Sequence, residues 1–259
     1  MGTVGELLPS CAVEWTDEHR IAVGPWRIRY REAGSGPVIV LLHGLGVSAD
    51  YWWRNGPMLA ASGYRVIAPD LPGFGRTEGP PRGLSVAEQA SALESWASAM
   101  RLERAVYVGH SLSCQTVMQH AVWQPDRVAG LVLAAPTGDP APFRLVRQAL
   151  GLLRDAPRES WRLKMVVAQA YFRAGPRRTW TTWLAASGND ALAMAEQVEA
   201  PGLVLVGTDD PVVRRGFAES LARRLPRGEL TWVEDGPHAV IYDTSVGFNE
   251  AVLAFVRSL

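Results

Sequence analysis

The chain predicts an α/β fold, a mostly parallel eight-stranded sheet with helices on both faces. Three observations carry that expectation. Continuous apolar runs such as Val38-Ile39-Val40-Leu41-Leu42 read as strands buried on both faces. Such runs alternate with helical patterns along most of the 259 residues, as parallel strands joined by crossover helices require. Two β-rich segments, 20–23 and 26–30, separated by Gly24-Pro25, open the order as an antiparallel hairpin.

The remaining elements follow in turn. The strand at 38–42 ends in His43-Gly44-Leu45-Gly46 and leads into a helix expected over 50–61. A strand at 64–68 runs into the loop Asp70-Leu71-Pro72-Gly73-Phe74-Gly75. Ser85 and Glu88 have capping-box spacing and start a helix that reaches Met100. A strand at 105–108, a helix at 112–123 and a strand at 128–134 come next. A strand at 202–206, a helix at 212–225, a strand at 229–233 and a helix at 246–258 close the pattern. Residues 137–200 break the alternation. They hold no clear strand, only helical patterns such as 143–154 and 159–173, interrupted by Pro157 and Pro176. The expected division is therefore a core of residues 1–136 and 201–259, with 137–200 inserted after the sixth strand as a helical lid.

Composition excludes several classes of function. Apolar residues make up 47% and charged ones 20%, enough for a sizeable core. Lys plus Arg and Asp plus Glu are both 26, so a general nucleic-acid partner is not expected. Two cysteines, Cys11 and Cys114, make no disulfide framework. His19, His43, His110, His120 and His238 show no zinc-like spacing with them. The first fifteen residues have no positive segment followed by an apolar run, and no run reaches the length of a membrane span. A cytoplasmic location without a bilayer span is the expectation.

Chemistry concentrates where strands end. Gly109-His110-Ser111-Leu112-Ser113 lies between a strand and a helix, the setting of a nucleophile elbow. Serine there stands at a helix N-terminus, where negative charge is favoured. Ser113 occupies a position usually held by glycine, so slightly looser packing is expected. The turn His43-Gly44-Leu45-Gly46 can bring a second backbone N–H to the serine. An oxyanion hole needs two preset donors, and the candidates are the N–H groups of Leu45 and Leu112. Gly207-Thr208-Asp209-Asp210-Pro211 follows another strand with a carboxylate, and His238 follows the last strand after a short loop. Serine, acid and histidine in that order, each just past a strand, can meet at one sheet edge, with imidazole as general base.

These motifs, together with the loop from Asp70 to Gly75, resemble the α/β-hydrolase superfamily in order and spacing over nearly the whole chain. The resemblance implies that Ser111 is the nucleophile, His238 the base and Asp210, three residues after Gly207, the acid, with Asp209 as the alternative. It implies the esterase, lipase and meta-cleavage-product hydrolase branch, with a lid in residues 137–200. Haloalkane dehalogenases and epoxide hydrolases of this superfamily place an aspartate where Ser111 stands. The implied activity is cleavage of a carboxylic ester-type bond of a small molecule through an acyl-enzyme. Carbon–carbon, lactone or thioester cleavage by the same triad is the alternative, and a non-catalytic binding protein a further one. Acyl transfer through serine implies no cofactor.

Trp52 and Trp53 follow the oxyanion turn, and Trp161, Trp180 and Trp183 lie in the insertion. They are the candidate lining of an apolar or aromatic pocket, against the alternative that they pack the lid onto the core. Residues 143–178 carry nine basic side chains against Asp155 and Glu159. That excess could steer an acidic substrate, or form a solvated surface.

Overall fold

The computed structural model describes Trp15 and residues 19–259. Cys11 lies outside the described residues, as does most of the segment read for a leader. The strands are β1 (His19–Val23), β2 (Trp26–Ala33), β3 (Val38–Leu42), β4 (Arg65–Pro69), β5 (Ala105–His110), β6 (Val128–Ala134), β7 (Gly202–Gly207) and β8 (Glu229–Val233). They form one sheet in the order β1-β2-β4-β3-β5-β6-β7-β8. The β1–β2 and β2–β4 pairs are antiparallel and all later pairs parallel. Every residue of β5 and β7 is buried, as a strand covered on both faces must be.

The helices of the core are α1 (Gly56–Ala61), α2 (Val86–Ala99) and α3 (Ser113–Trp123) before the insertion. The insertion itself forms α4 (Arg144–Asp155), α5 (Trp161–Ala174), α6 (Pro176–Ser187) and α7 (Ala191–Ala195). Then come α8 (Arg215–Arg224), α9 (Val240–Asp243) and α10 (Ser245–Ser258). One layer runs from α2 to α3 to α7 to α8, while α1 packs on α10. The capping box of α2 is formed, with Ser85 N–H donating to Glu88 at 2.8 Å.

Two expected helices differ. The one at 50–61 is a 3-10 turn over Ala49–Trp52 followed by the short α1. Pro57 has no N–H to continue a helix and instead starts a new one. The helix expected from 212 begins at Arg215, because the N–H groups of Val212 and Val213 are held by Asp210 at 2.7 and 3.1 Å. Pro176, expected only as a break, also opens α6.

The loop after β4 is fastened by a buried ion network. Arg29, fully buried on β2, reaches Asp70 at 3.3 Å and Asp50 at 2.6 Å. Asp70 also accepts the N–H groups of Ala49 at 2.6 Å and Arg76 at 2.8 Å. A Cβ on Gly75, whose φ is +57°, would lie 2.3 Å from that carboxylate, so the loop needs glycine there.

Candidate active site

The elbow is built by a tight crossing of strand and helix. Ser111 sits between β5 and α3 with φ of +55°, a left-handed conformation that is costly for a residue with a Cβ. Its N–H donates to Ala134 O at 2.8 Å, which fixes the turn to β6. A Cβ on Gly109 would lie 2.7 Å from Ser113 O and 2.8 Å from Cys114 N, so only glycine fits two residues before the serine. Ser113, expected to loosen the elbow, instead donates its hydroxyl to His43 O. It thereby ties the elbow to the turn after β3.

Asp210 and His238 meet because their loops pass without side chains between them. A Cβ on Gly207 would lie 1.9 Å from Gly236 O, and Asp209 N–H donates to that same carbonyl at 3.0 Å. Asp209 points its side chain to solvent, so Asp210 is the carboxylate that faces the imidazole. One Asp210 oxygen takes the Val212 and Val213 N–H groups, and the other takes His238 Nδ1–H at 2.9 Å. That bond leaves Nε2 bare, and Ser111 Oγ–H donates to it at 3.1 Å. Both distances are within general-base reach.

The electrostatics agree with the geometry. Burial pushes the Asp210 carboxyl up, but the charge and hydrogen bond of His238 and the two N–H donors outweigh it and hold it below its ordinary value. Burial pushes His238 down, and the field of Asp210, with smaller contributions from Asp155 and Glu159, leaves it above its ordinary value. His110 donates from Nε2 to His238 O at 3.0 Å. Burial drives its pKa to about 3, so it stays neutral. His43 accepts Leu71 N–H at Nε2 and donates from Nδ1 to Gly44 O. Both are structural supports of the site.

A cavity of about 350 Å³ opens at the serine. Ser111, His238, Leu45 and Leu112 line it, and neither leucine N–H donates to a described backbone carbonyl. Four of the five candidate tryptophans do not line it. Trp52 is in the core against Phe248. Trp53 packs outside, between Arg54 and Tyr242. Trp161 and Trp180 face solvent. Trp183 alone lines the cavity, held by its Nε1–H to Gln148 at 2.9 Å. The 3-10 turn after Ser48 rotates Tyr51 inward, so the aromatic from that run is Tyr51.

Other residues of the site carry no sequence signal. Glu159 and Tyr171 line the cavity from the insertion. Asp155, buried at the end of α4, accepts His238 N–H with both oxygens at 3.2 Å. The nine basic residues of 143–178 do not line the cavity. Arg178 is spent on the carbonyls of Gly73, Ala174, Gly79 and Pro80, and Arg147 pairs with Asp139.

A strand–serine–helix elbow on an eight-stranded sheet, with acid and histidine on the loops after β7 and β8, defines a class. Residues 39–251 match the model of the alpha/beta hydrolase family, and the chain belongs to that family. An uncharacterised protein of Mycobacterium tuberculosis is 40% identical over 113 residues, which covers 44% of this chain and 33% of that protein. The chain thus spans about a third of the length of that relative. The 2-hydroxy-6-oxo-6-phenylhexa-2,4-dienoate hydrolase of Burkholderia cepacia is 25% identical, covering 98% of this chain and 99% of that one. A thermophilic esterase from Thermogutta terrifontis superposes with a TM-score of 0.81 at 20% identity, covering 94% and 99% of the two chains.

Proposed function

We propose that this protein is a serine hydrolase that cleaves carboxylic ester-type bonds of small, uncharged, apolar or aromatic substrates through an acyl-enzyme. The hydrogen-bonded series Asp210–His238–Ser111 at the floor of a cavity is the observation that carries this reading. Ser111 Oγ attacks the carbonyl carbon while His238 Nε2 takes its proton. The Leu45 and Leu112 N–H groups receive the oxyanion. His238 then returns the proton to the leaving alcohol, and a water activated by the same nitrogen releases the acid. Asp210 keeps the imidazole in the productive tautomer. Residues 137–200 serve as the lid, since Gln148, Leu152, Glu159, Tyr171 and Trp183 roof the cavity.

The relative from Burkholderia cepacia raises a second reading, cleavage of a carbon–carbon bond in an acidic substrate. The cavity disfavours it. No Arg or Lys lines the wall, and the one carboxylate that does, Glu159, would repel an anionic substrate. An uncharged ester meets no such barrier.

The test is hydrolysis of p-nitrophenyl esters from acetate to decanoate. Turnover is expected, with Ser111→Ala lowering it by roughly 10⁴-fold or more. A full rate in Ser111→Ala overturns the mechanism. A protein inert on every ester but labelled at Ser111 by a fluorophosphonate overturns the ester assignment and moves the search to carbon–carbon, lactone and thioester bonds. No label at all favours a binding protein.

The pH profile provides a second check. His238 works as a base only when neutral, and its pKa stands above the ordinary 6.5. The acid limb of kcat/KM is therefore expected above pH 6.5. Asp155→Asn keeps an acceptor for His238 N–H but removes a charge that favours imidazolium, so the limb should move to lower pH. A limb that stays in place would show that Asp155 does not act on His238.

A further inference from the structure

Trp161 and Trp180, expected from sequence to line a pocket, face the opposite way. Helix α5 has two distinct faces. Its inner face carries Val167 and Tyr171 onto the cavity, and the Tyr171 ring sits where a Cβ on Gly46 would come within 2.6 Å. Its outer face carries Trp161, Met165 and Phe172, spaced to form one stripe along a helix. These are 72%, 53% and 90% exposed. Helix α6 packs beside α5 and adds Trp180, 55% exposed, on the outside. Among the described residues fifteen large apolar side chains are exposed, and eleven of them lie within 143–184. Two of the eleven, Leu152 and Tyr171, line the cavity, but the rest concentrate on the inserted helices α4 to α6, and such concentration marks an interaction surface.

The charge around this stripe has one sign. At about 100° per residue, Arg162 and Arg173 fall on one flank of the stripe and Lys164 on the other. Arg177 opens the neighbouring helix. Of the nine basic residues in 143–178, Arg147 alone forms an ion pair with a carboxylate among the described residues, and Arg178 is spent on backbone carbonyls. Both acids of that stretch are turned inward, Asp155 onto His238 N–H and Glu159 onto the cavity. Glu159 lies within electrostatic reach of Lys164, and Asp243 accepts Ser160 N–H at the start of α5, while Arg162, Arg173 and Arg177 form no ion pair among the described residues.

We propose that the outer face of α5 and α6 docks on an anionic lipid surface, with Trp161, Met165, Phe172 and Trp180 entering the headgroup region and Arg162, Lys164, Arg173 and Arg177 meeting lipid phosphates. Aromatic and aliphatic side chains flanked by Arg and Lys are the composition that holds a helix in a membrane interface. A second copy of this chain is the weaker occupant, because pairing the face with itself sets cation against cation. No helix of the described residues is long and apolar enough to cross a bilayer, so the association is peripheral. The lipid-facing helix is also the one whose Tyr171 rests on the oxyanion turn, which puts docking and the cavity on opposite sides of a single element.

The experiment is co-sedimentation of the full chain with vesicles of phosphatidylcholine alone and of phosphatidylcholine with about one third phosphatidylglycerol. Binding at least about tenfold stronger to the anionic vesicles, and weakened by salt, is expected. Trp161→Ser with Phe172→Ser should lose about tenfold or more, and Arg162→Gln with Arg173→Gln should lose the dependence on phosphatidylglycerol. These side chains are exposed, so an unchanged circular dichroism spectrum accompanies either pair. Sedimentation no better with anionic vesicles overturns the proposal, as does undiminished binding by Trp161→Ser with Phe172→Ser. A concentration-dependent dimer that this same variant dissolves, without vesicle binding, overturns it in favour of a second copy. Loss of ester turnover alone bears on the proposed function and not on this surface.

Discussion

On the proposed mechanism, Asp210→Asn is expected to lower kcat/KM on the best p-nitrophenyl ester by about 10⁴-fold, and Asp209→Asn to stay within about threefold of the wild type. The two residues are neighbours, so the contrast isolates orientation from local charge. Asp210 accepts His238 Nδ1–H at 2.9 Å and is itself fixed by the N–H groups of Val212 and Val213. An amide there can present its NH₂ to the ring, which then holds its proton on the nitrogen that should face Ser111. Steady-state kinetics on the two purified variants decide the matter. Equal losses, or a larger loss for Asp209→Asn, would remove Asp210 from the mechanism.

Arg29→Met costs about 3–5 kcal/mol of stability, the magnitude for breaking a buried ion pair on one side. The guanidinium is fully buried between Asp50 and Asp70. Arg224→Met, which breaks an exposed pair with Glu196, costs less than about 1 kcal/mol. Urea unfolding of both variants gives the comparison. An Arg29→Met midpoint within error of the wild type would mean that Asp70 is satisfied by the Ala49 and Arg76 N–H groups alone. The network bears on the site because Leu71, next to Asp70, donates to His43, and His43 O accepts from Ser113, two residues after Ser111.

What the sequence reveals and what it hides divide along physical lines. The sheet and the loops bearing Ser111, Asp210 and His238 are legible because glycines at fixed offsets are forced by backbone contacts. Gly109 against Ser113 and Gly207 against Gly236 are contacts that no other residue tolerates. The cavity wall is not legible, because it depends on how the inserted helices are rotated. Trp180 and Trp183 are three apart and touch at 5.2 Å between rings, yet one is exposed and the other lines the cavity. Tyr51 and Trp52 differ by one position, and the 3-10 turn sends the first to the cavity and the second to the core. Asp155 gives no local sign, since its role exists only once α4 has met the loop of His238.

The pair His238–Ser111 joins positions 127 apart in the chain, and β8, which delivers the histidine, is an edge strand paired only with β7. Parallel strands gain nothing locally to offset the entropy of closing such long loops, so their assembly is slow. A chain halted with β8 undocked would hold the Ser111 elbow and the turn after β3 but would lack His238 beside them. On the proposed mechanism, hydrolytic competence is expected among the last events of folding. In refolding from denaturant, the return of turnover should lag behind the return of helical signal, and the delay would time the closing of the sheet.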